Sequence, residues 1–247
     1  MLLDMTTTNA LAATDSGCEY DYADLQGLMS LMTGDEKHSA AATSTLDVLW
    51  VLYDGILDVS PDTVADPARD RFYLSKGHGP MAYYSVLAAK GFFPVSWLED
   101  WASYDSPLGH HPDRTLVPGV EVSSGSLGHG LPLAVGTALG LRAQGLDSRV
   151  VVLVGDAELD EGSNHEAVEI AASLELEALT VVVVDNRSSS YAVPGRIEER
   201  FATEGWHTVG VDGRDHARLH RALSRPAGAA GRGRPSVVVA YVEEKSA

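Results

Sequence analysis

The sequence predicts an α/β protein whose core is a doubly wound, mainly parallel sheet with helices on both faces. Two almost wholly apolar runs, VVVLV at residues 150–154 and TVVVV at residues 180–184, are typical of strands that are buried on both faces. Such strands alternate with helical segments through the second half of the chain. This alternation is typical of a parallel sheet covered by helices.

The first half of the chain is predicted to be mainly helical. Residues 1–18 are polar and lack periodicity, which indicates a disordered tail outside the fold. Residues 20–57 have apolar side chains at intervals of three and four, which is a helical pattern. The segments that follow are a short link over 69–79, helices over 80–90 and 94–104, and a Pro-, Gly- and His-rich loop over 106–120. This loop is longer than most connections, which makes it a candidate for function.

The second half of the chain is predicted to alternate between strands and helices. A small-residue helix begins after GSLGHG at residues 125–130. Strands are expected over 150–154, 179–184, 206–211 and 236–242, and helices are expected near Asn164 and over 216–223. No internal repeat is evident, so residues 19–247 are expected to form a single domain.

The composition argues against several classes of protein. The formal net charge is -17 at pH 7, from 35 acidic and 18 basic residues, which argues against a nucleic-acid-binding or anionic-membrane-binding surface. The single cysteine, Cys18, excludes an internal disulfide framework and a thiolate-rich metal site, and it fits a reducing compartment. There is neither a signal-peptide pattern nor a run of about 18 apolar residues. A cytoplasmic location without membrane insertion is therefore expected.

Polar side chains follow the two apolar strands at the points where these strands end. Asp156 follows the first strand and Asn186 follows the second, and one βαβ unit separates them. Ligands of such sheets bind beyond the carboxyl ends of the strands, so these side chains are expected to approach each other. Their hard oxygen atoms suit Mg²⁺ or Ca²⁺, and Mg²⁺ commonly adds phosphate oxygens as ligands. The alternative is that Asp156 caps a helix and Asn186 closes a turn.

Five segments, in the same order along the chain, resemble the N-terminal half of transketolase. They are HSAAATSTLDVLWVLY from His38, which is the faintest match, DRFYLSKGHG from Asp70, GHHPD from Gly109, PGVEVSSGSLGHG from Pro118, and GDA from Gly155 with DN from Asp185. Together they span most of the chain from His38 onward, which makes chance similarity a poor explanation.

The resemblance implies a site for thiamine diphosphate and for Mg²⁺ or Ca²⁺. The metal ligands would be the side chains of Asp156 and Asn186 and the backbone carbonyl of Ser188. The residues that would contact the cofactor are His78, Gly125, Leu127, Gly155, Asp156, Ala157 and Asn186. Ala157 stands where the family has glycine, and it can still offer its backbone N–H if its φ is negative.

The resemblance also implies catalytic residues. His38, His78 and His111 match histidines that surround the reacting carbon, where an imidazole can move protons at neutral pH. Glu161 matches the glutamate that links the two active sites of the dimer. His110 competes with His111 for the same place, and counting back from PGV favours His111.

The implied function is the transfer of a two-carbon ketol unit from a ketose phosphate to an acceptor, by default an aldose phosphate. The sequence stops before the pyrimidine-binding domain of the family, and it lacks the histidine that the family has beyond the last strand. The expectation is therefore a diphosphate-binding subunit that is active as a heterotetramer. A separate partner chain would contain the pyrimidine-binding domain and supply the activating glutamate.

Three alternatives remain open. GDAELDEG at residues 155–162 also resembles the first component of pyruvate dehydrogenase, in which case the two-carbon unit would pass to a lipoyl or acyl carrier protein. The chain could instead be a non-catalytic partner subunit. It could also be a Mg²⁺-dependent phosphate enzyme that uses an acidic cluster, although alternating positions on a turn would not all face one ion. That cluster is Asp156, Glu158, Asp160 and Glu161.

Overall fold

Five parallel strands form the central sheet of the described part of the chain. The computed structural model describes residues 20–33, 43–77, 79–189, 193–224 and 233–244. The strands in these ranges are β1 (Arg71–Leu74), β2 (Val150–Gly155), β3 (Leu179–Asp185), β4 (His207–Asp212) and β5 (Ser236–Tyr241). They form one sheet in the order β1-β2-β3-β5-β4, and each pair of neighbours is parallel.

Helices cover both faces of this sheet. The helices in the described ranges are α1 (Leu25–Leu31), α2 (Leu46–Gly55), α3 (Met81–Ala89), α4 (Gly130–Ala143), α5 (Gly162–Ser173), α6 (Arg196–Thr203) and α7 (His216–Leu223). Val151 and Leu153 of β2 face the core that contains α1, α2, α3 and α7, whereas Val152 and Val154 face the core that contains α4 and α5. Because β2 is buried on both faces, the predicted fold class is confirmed.

The parallel register brings the carboxyl ends of the strands to one edge. Gly155 at the end of β2 lies beside Val184 of β3, and Asp185 at the end of β3 lies beside Tyr241 of β5. The backbone N–H of Asp156 still donates to the Val184 carbonyl, 3.2 Å away. The residues that follow β1, β2 and β3 therefore enter one region, which we call the carboxyl edge.

The prediction that residues 69–79 form only a link is wrong, because four of them form β1. All four residues of this strand are buried. Its first residue, Arg71, is accommodated because its guanidinium donates to the backbone carbonyls of Arg69 and Pro67, the latter at 2.7 Å. A four-residue strand that begins with arginine lacks the apolar run by which β2 and β3 were recognised.

The helix predicted over residues 94–104 is also wrong. A single turn of 3-10 helix, Val95–Leu98, forms there. The chain then reverses at Ala102, which has a φ of 58° and whose N–H donates to the Leu108 carbonyl at 2.8 Å. Trp97 in this segment stacks on Phe93, with ring centroids 5.3 Å apart.

The other predicted elements agree with the structure to within a few residues. Helices α3, α4, α5 and α7 and strands β2 to β5 lie where the pattern indicated, and the helical region over residues 20–57 contains α1 and α2. Helix α6 was not predicted. The tail predicted over residues 1–18 lies outside the described residues. Among the helices described above, none has the length and apolar character needed to cross a membrane.

A polar cluster around the buried Asp47 joins α2 to the last part of the chain. Asp47 of α2 accepts a hydrogen bond of 2.6 Å from the Tyr22 hydroxyl and one of 2.5 Å from the Arg214 guanidinium. Nε2 of His216 lies 2.9 Å from the same carboxylate. Arg214 also forms an ion pair with Glu243, which follows β5. We call these five side chains the Asp47 cluster; it attaches α2 to the turn after β4 and to the chain after β5.

Candidate functional site

The loop after β3 folds over the end of β2. Asp156 directly follows β2 and is 3% exposed. Its Oδ1 accepts a hydrogen bond of 2.7 Å from the Ser188 hydroxyl, and its Oδ2 accepts one of 2.9 Å from the N–H of Ser189. The side-chain oxygen of Asn186 accepts the N–H of Ser188 at 3.2 Å. Ser188 thus contacts the side chains of both Asp156 and Asn186, which follow neighbouring strands.

The backbone of this loop is strained at Arg187. Its φ is 56°, in the left-handed region that residues other than glycine rarely adopt. The N–H of Arg187 donates to Oδ1 of Asp185 at 2.9 Å, which holds the turn. Burial raises the pKa of Asp185 above its usual range, and the neighbouring charge of Asp156 acts in the same direction. Strained residues of this kind cluster at ligand sites, so the loop is a candidate for ligand binding.

Glycine-rich segments pack at the carboxyl edge without room for side chains. A Cβ on Gly77 would lie 2.9 Å from the Cα of Gly125 and 3.1 Å from Cδ2 of His111. Gly125 itself has a φ of 134°, and a Cβ there would meet the same imidazole at 3.1 Å. The exposed ring of His111 therefore covers the point at which the chain after β1 meets the GSLGHG turn.

The two neighbouring histidines of the 106–120 loop face different surroundings. His111 contacts the glycines of the carboxyl edge. The ring of His110 instead packs edge-on against Trp101, with 5.0 Å between the ring centroids. Of the two, His111 is the one placed to reach a ligand held at the carboxyl edge.

A buried carboxylate lies beneath the glycine-rich segments. Glu158 is 1% exposed and belongs to a 3-10 turn, Ala157–Asp160, which directly follows Asp156. Its Oε1 accepts the N–H of Gly128 at 3.0 Å and the hydroxyl of Ser75, and its Oε2 accepts the N–H of Gly155 at 3.3 Å. Burial raises the pKa of Glu158, although these hydrogen bonds oppose the shift. The carboxylate is thus occupied by the backbone and hydroxyl of the surrounding segments.

The remaining residues predicted for the site lie around this region or outside the described residues. Glu161 is exposed and stands at the N-cap of α5, where its Cβ would meet a Cβ on Gly128 at 2.6 Å. Leu127 is 47% exposed. Among the described residues other than glycine, a positive φ occurs at Ala102, Glu175 and Arg187, so Ala157 has the negative φ that the expected role of its N–H requires. His38 and His78 lie outside the described residues.

The residues that follow β2 and β3 fit a divalent cation that shares its ligands with phosphate. Asp156 and Asn186 provide hard oxygen atoms, and each carboxylate oxygen keeps a lone pair beyond the hydrogen bond that it accepts. Asp156 is buried without an ion-pair partner among the described residues, and a buried carboxylate favours a nearby cation. No group of three or more His, Cys, Asp or Glu side chains in these residues is arranged to hold a metal ion. The four acidic residues of the 156–161 turn therefore do not form the cluster that the phosphate-enzyme alternative requires.

Three residues of this region were missed by the sequence prediction: Ser75, Glu158 as an inward-facing residue, and Ser189. Ser75 follows β1 and bonds Glu158, and Ser189 closes the loop over Asp156. Small polar residues after strands are common, so neither serine has a distinctive pattern. The signal that the sequence does contain is their position: Ser75 and Ser189 each lie in or beside a segment that is expected at the carboxyl edge.

Comparisons with known proteins agree with this geometry. Residues 28–242 match the family model described as transketolase, thiamine diphosphate binding domain. The chain is 55% identical to "Ferredoxin fas2" of Rhodococcoides fascians over 230 residues, which cover 93% of this chain and 74% of that protein. It is 37% identical over 179 residues to one subunit of the apulose-4-phosphate transketolase of Actinobacillus succinogenes, covering 71% of this chain and 64% of that protein.

The fold also matches solved transketolases. The transketolase of Leishmania mexicana superposes with a TM-score of 0.73 and 25% sequence identity, covering 91% of this chain and 37% of that one. The chain thus spans little more than a third of a solved transketolase. Because the family model covers most of the sequence, the chain belongs to the transketolase family and contains its thiamine diphosphate-binding domain.

Proposed function

We propose that this chain is the diphosphate-binding subunit of a two-chain, transketolase-like enzyme. The enzyme moves a two-carbon ketol unit from a ketose phosphate to an acceptor, by default an aldose phosphate. The observation that carries this proposal is the carboxyl edge, where Asp156, Asn186, the GSLGHG turn and His111 come together. These are the segments by which the sequence resembles the family.

A separate partner chain completes the site in this proposal. The relative from Actinobacillus succinogenes is named as one of the subunits of its enzyme, and the matched region is a minor part of the solved single-chain transketolase. The proposed assembly is a heterotetramer, and the partner supplies the glutamate that activates the cofactor.

The residues of this chain hold and orient the cofactor in the proposed enzyme. Bound thiamine diphosphate would supply a nucleophilic carbon and an electron sink for the two-carbon unit. Asp156, Asn186 and the carbonyl of Ser188 hold Mg²⁺ or Ca²⁺, which in turn holds the diphosphate. The N–H of Ala157 contacts the diphosphate, and Gly125 and Leu127 position the opposite end. The metal and the cofactor fit this edge because the buried carboxylate of Asp156 and the amide oxygen of Asn186 both contact Ser188, in the loop after β3.

The histidines act on protons of the sugar in this proposal. His111 is exposed, and its ring lies over Gly77 and Gly125, where the reacting end of a ketose phosphate would approach. A neutral imidazole accepts a proton from a hydroxyl and returns it after the carbon–carbon bond breaks. His38 and His78 have the same role, and Glu161 contacts the second active site of the assembly.

The proposal is tested by purifying the tagged full chain from its native host. Co-purification of a second chain near equal amounts, together with bound thiamine diphosphate, is the expected result. The complex is then assayed with ketose phosphates and aldose phosphates for formation of new sugars, with an Asp156→Ala complex as the control. If the chain purifies alone and neither cofactor nor Mg²⁺ raises its melting temperature, it is a non-catalytic protein that has kept the fold.

A second candidate acceptor comes from the name of one relative. The protein from Rhodococcoides fascians is named a ferredoxin, and about a quarter of it lies outside the matched region. This chain has one cysteine, so it lacks the four thiolates that ordinarily hold an iron–sulfur cluster. If the two-carbon unit is oxidised instead of transferred, a separate iron–sulfur protein would take the electrons. Reduction of added ferredoxin by the purified complex and its sugar donor would favour this acceptor over an aldose phosphate or a lipoyl carrier.

A further inference from the structure

Glu158 lies where three segments of the carboxyl edge meet. Its carboxylate accepts the N–H of Gly155 at the end of β2, the N–H of Gly128 in the GSLGHG turn, and the hydroxyl of Ser75 after β1. Its own backbone carbonyl accepts the side-chain amide of Asn164 at 2.6 Å, which fixes the turn to α5. A single side chain therefore connects segments that are far apart in sequence.

Ser75 extends this connection to the start of α4. Its hydroxyl oxygen accepts the N–H of Gly130 at 2.8 Å while its proton is donated to Glu158. The packing here is tight, because a Cβ on Gly130 would lie 2.4 Å from the Cβ of Ser75. The distance between the chain after β1 and the GSLGHG turn is thus set by direct contact.

The partners of Glu158 are neutral donors. In the described part of the chain, none of its bonds is to a lysine, arginine or histidine side chain. An unpaired carboxylate is costly to bury, and hydrophobic residues of similar size would cost less. The two oxygens of Glu158 fix the positions of the surrounding backbone N–H groups. This role gives a reason for a carboxylate, and not a hydrophobic side chain, at position 158.

We propose that Glu158 is a positioning residue that fixes the GSLGHG turn relative to the end of β2. This inference rests on the proposed function, in which the end of β2 binds the diphosphate and the turn binds the opposite end of the cofactor. A ligand that spans both segments depends on their separation. A ligand that contacts only the strand ends, such as Mg²⁺-pyrophosphate, does not.

The Glu158→Gln substitution keeps the shape of the side chain but replaces one accepting oxygen with an N–H₂ donor. At least one backbone N–H then loses its acceptor, and the turn is no longer held on both sides. We expect the affinity for thiamine diphosphate with Mg²⁺ to fall about tenfold or more, which is the effect of losing one hydrogen bond to a charged acceptor. The affinity for Mg²⁺-pyrophosphate should change by less than about threefold.

The experiment uses calorimetric titration of the full chain, in complex with its partner when one co-purifies. Glu169→Gln on the exposed face of α5 is the matched control, because it makes the same chemical change without contacting the carboxyl edge. Ser75→Ala removes one donor to Glu158 and keeps the carboxylate, so it serves if Glu158→Gln does not fold. The double variant should lose less than the sum of the single losses, since both residues act through one network.

Amide hydrogen exchange gives a reading that does not depend on ligand or turnover. In the variants, the amides of Gly128 and Gly130 should exchange faster, whereas amides in the centre of β3 should be unchanged. Equal losses of affinity for both ligands, or unchanged exchange at these glycines, would overturn the positioning role. If the unmodified chain binds neither ligand, the proposed function itself fails, and that outcome is distinct from a variant that binds like the unmodified chain.

Discussion

The hydroxyl of Ser188 donates a 2.7 Å hydrogen bond to Oδ1 of Asp156 and so connects the ends of two neighbouring strands. The N–H of Ser189 occupies the other carboxylate oxygen. The strained loop after β3 is therefore held by the same carboxylate that is proposed to bind the metal. Binding of the metal and ordering of this loop should be energetically coupled, because both involve Asp156.

We expect Asp156→Asn to abolish the Mg²⁺-dependent stabilisation of the chain by thiamine diphosphate. A ligand at about a hundred times its dissociation constant adds about 2.7 kcal/mol to the free energy of unfolding. The neutral amide removes the charge that attracts the cation, so this increment should disappear. Thermal unfolding with and without cofactor and Mg²⁺ measures it, and the exposed Asp100→Asn is the control. Retention of the full increment by Asp156→Asn would place the metal elsewhere.

Gly77→Ala should disrupt the carboxyl edge. Its Cβ would lie 2.9 Å from the backbone Cα of Gly125, and backbone cannot move aside as the end of a flexible side chain can. We expect a lower melting temperature and loss of cofactor binding. Gly136→Ala on α4 is the matched control, since no atom lies within 4 Å of its added Cβ. That helical substitution should be neutral or stabilising by up to about 1 kcal/mol.

Replacing His111 should reduce turnover more than stability. The side chain is exposed, so His111→Asn should leave the melting temperature nearly unchanged. If its imidazole moves a proton in the reaction, kcat of the complex should fall by roughly a hundredfold, as is typical of general acid–base groups. His110→Asn, whose parent ring packs on Trp101, should have a smaller effect on kcat. A larger loss of kcat for His110→Asn than for His111→Asn would assign the proton transfer to His110 instead of His111.

Asp47→Asn should destabilise the fold without affecting cofactor affinity directly. The substitution removes the carboxylate charge that faces Arg214 and His216, whereas Arg214 keeps its ion pair with Glu243. Breaking a fully buried ion pair lowers the free energy of unfolding by about 3–5 kcal/mol. Because the Arg214 side chain is 33% exposed, we expect a decrease of about 2 kcal/mol here. Urea unfolding measures the change. Asp54→Asn, which breaks a more exposed pair with Lys90, should cost less than about 1 kcal/mol.

The stability of the chain should fall at alkaline pH because of two buried tyrosines. Burial raises the pKa of Tyr53 and of Tyr83 above the usual value of 10.0, and their hydroxyls lie 3.0 Å apart. Groups whose pKa is higher in the folded state contribute stability that is fully present below the unfolded pKa. That contribution is lost as the pH rises above about 10.

Tyr53→Phe removes one of these groups and should therefore make the loss of stability above this pH less steep. Tyrosinate absorbance followed during alkaline unfolding provides the check. Ionisation of these tyrosines in the folded chain at their usual pKa would contradict the expectation.

Much of the fold followed from the sequence because β2 and β3 are buried on both faces and leave long apolar runs. The predicted parallel arrangement of β2 and β3 also led to the expectation that Asp156 and Asn186 approach each other, because parallel strands end at one edge of the sheet. Strand β1 was missed because it is short and contains Arg71, whose burial depends on carbonyls of the preceding turn. The helix expected over residues 94–104 is absent because the chain reverses at Ala102, whose N–H bonds the Leu108 carbonyl within the same loop.

The role of Glu158 could not be predicted from its neighbours in sequence. It lies among acidic residues of a turn, and such a composition usually indicates a solvated surface. Its burial depends on Gly128 and Ser75, which are distant in the chain and meet it only after the sheet has formed. Sequence patterns report local periodicity, and they carry little information about such contacts.

The Asp47 cluster has a consequence for synthesis on the ribosome. Arg214 and His216 lie 167 and 169 positions after Asp47, so the helix that carries this carboxylate is complete long before these two partners exist. At about 5–20 residues per second, the delay is on the order of ten seconds or more. During that interval the nascent chain exposes the apolar surface of α2 that later packs on α7, and it must either be protected by chaperones or tolerate a partly formed core until its last strands emerge.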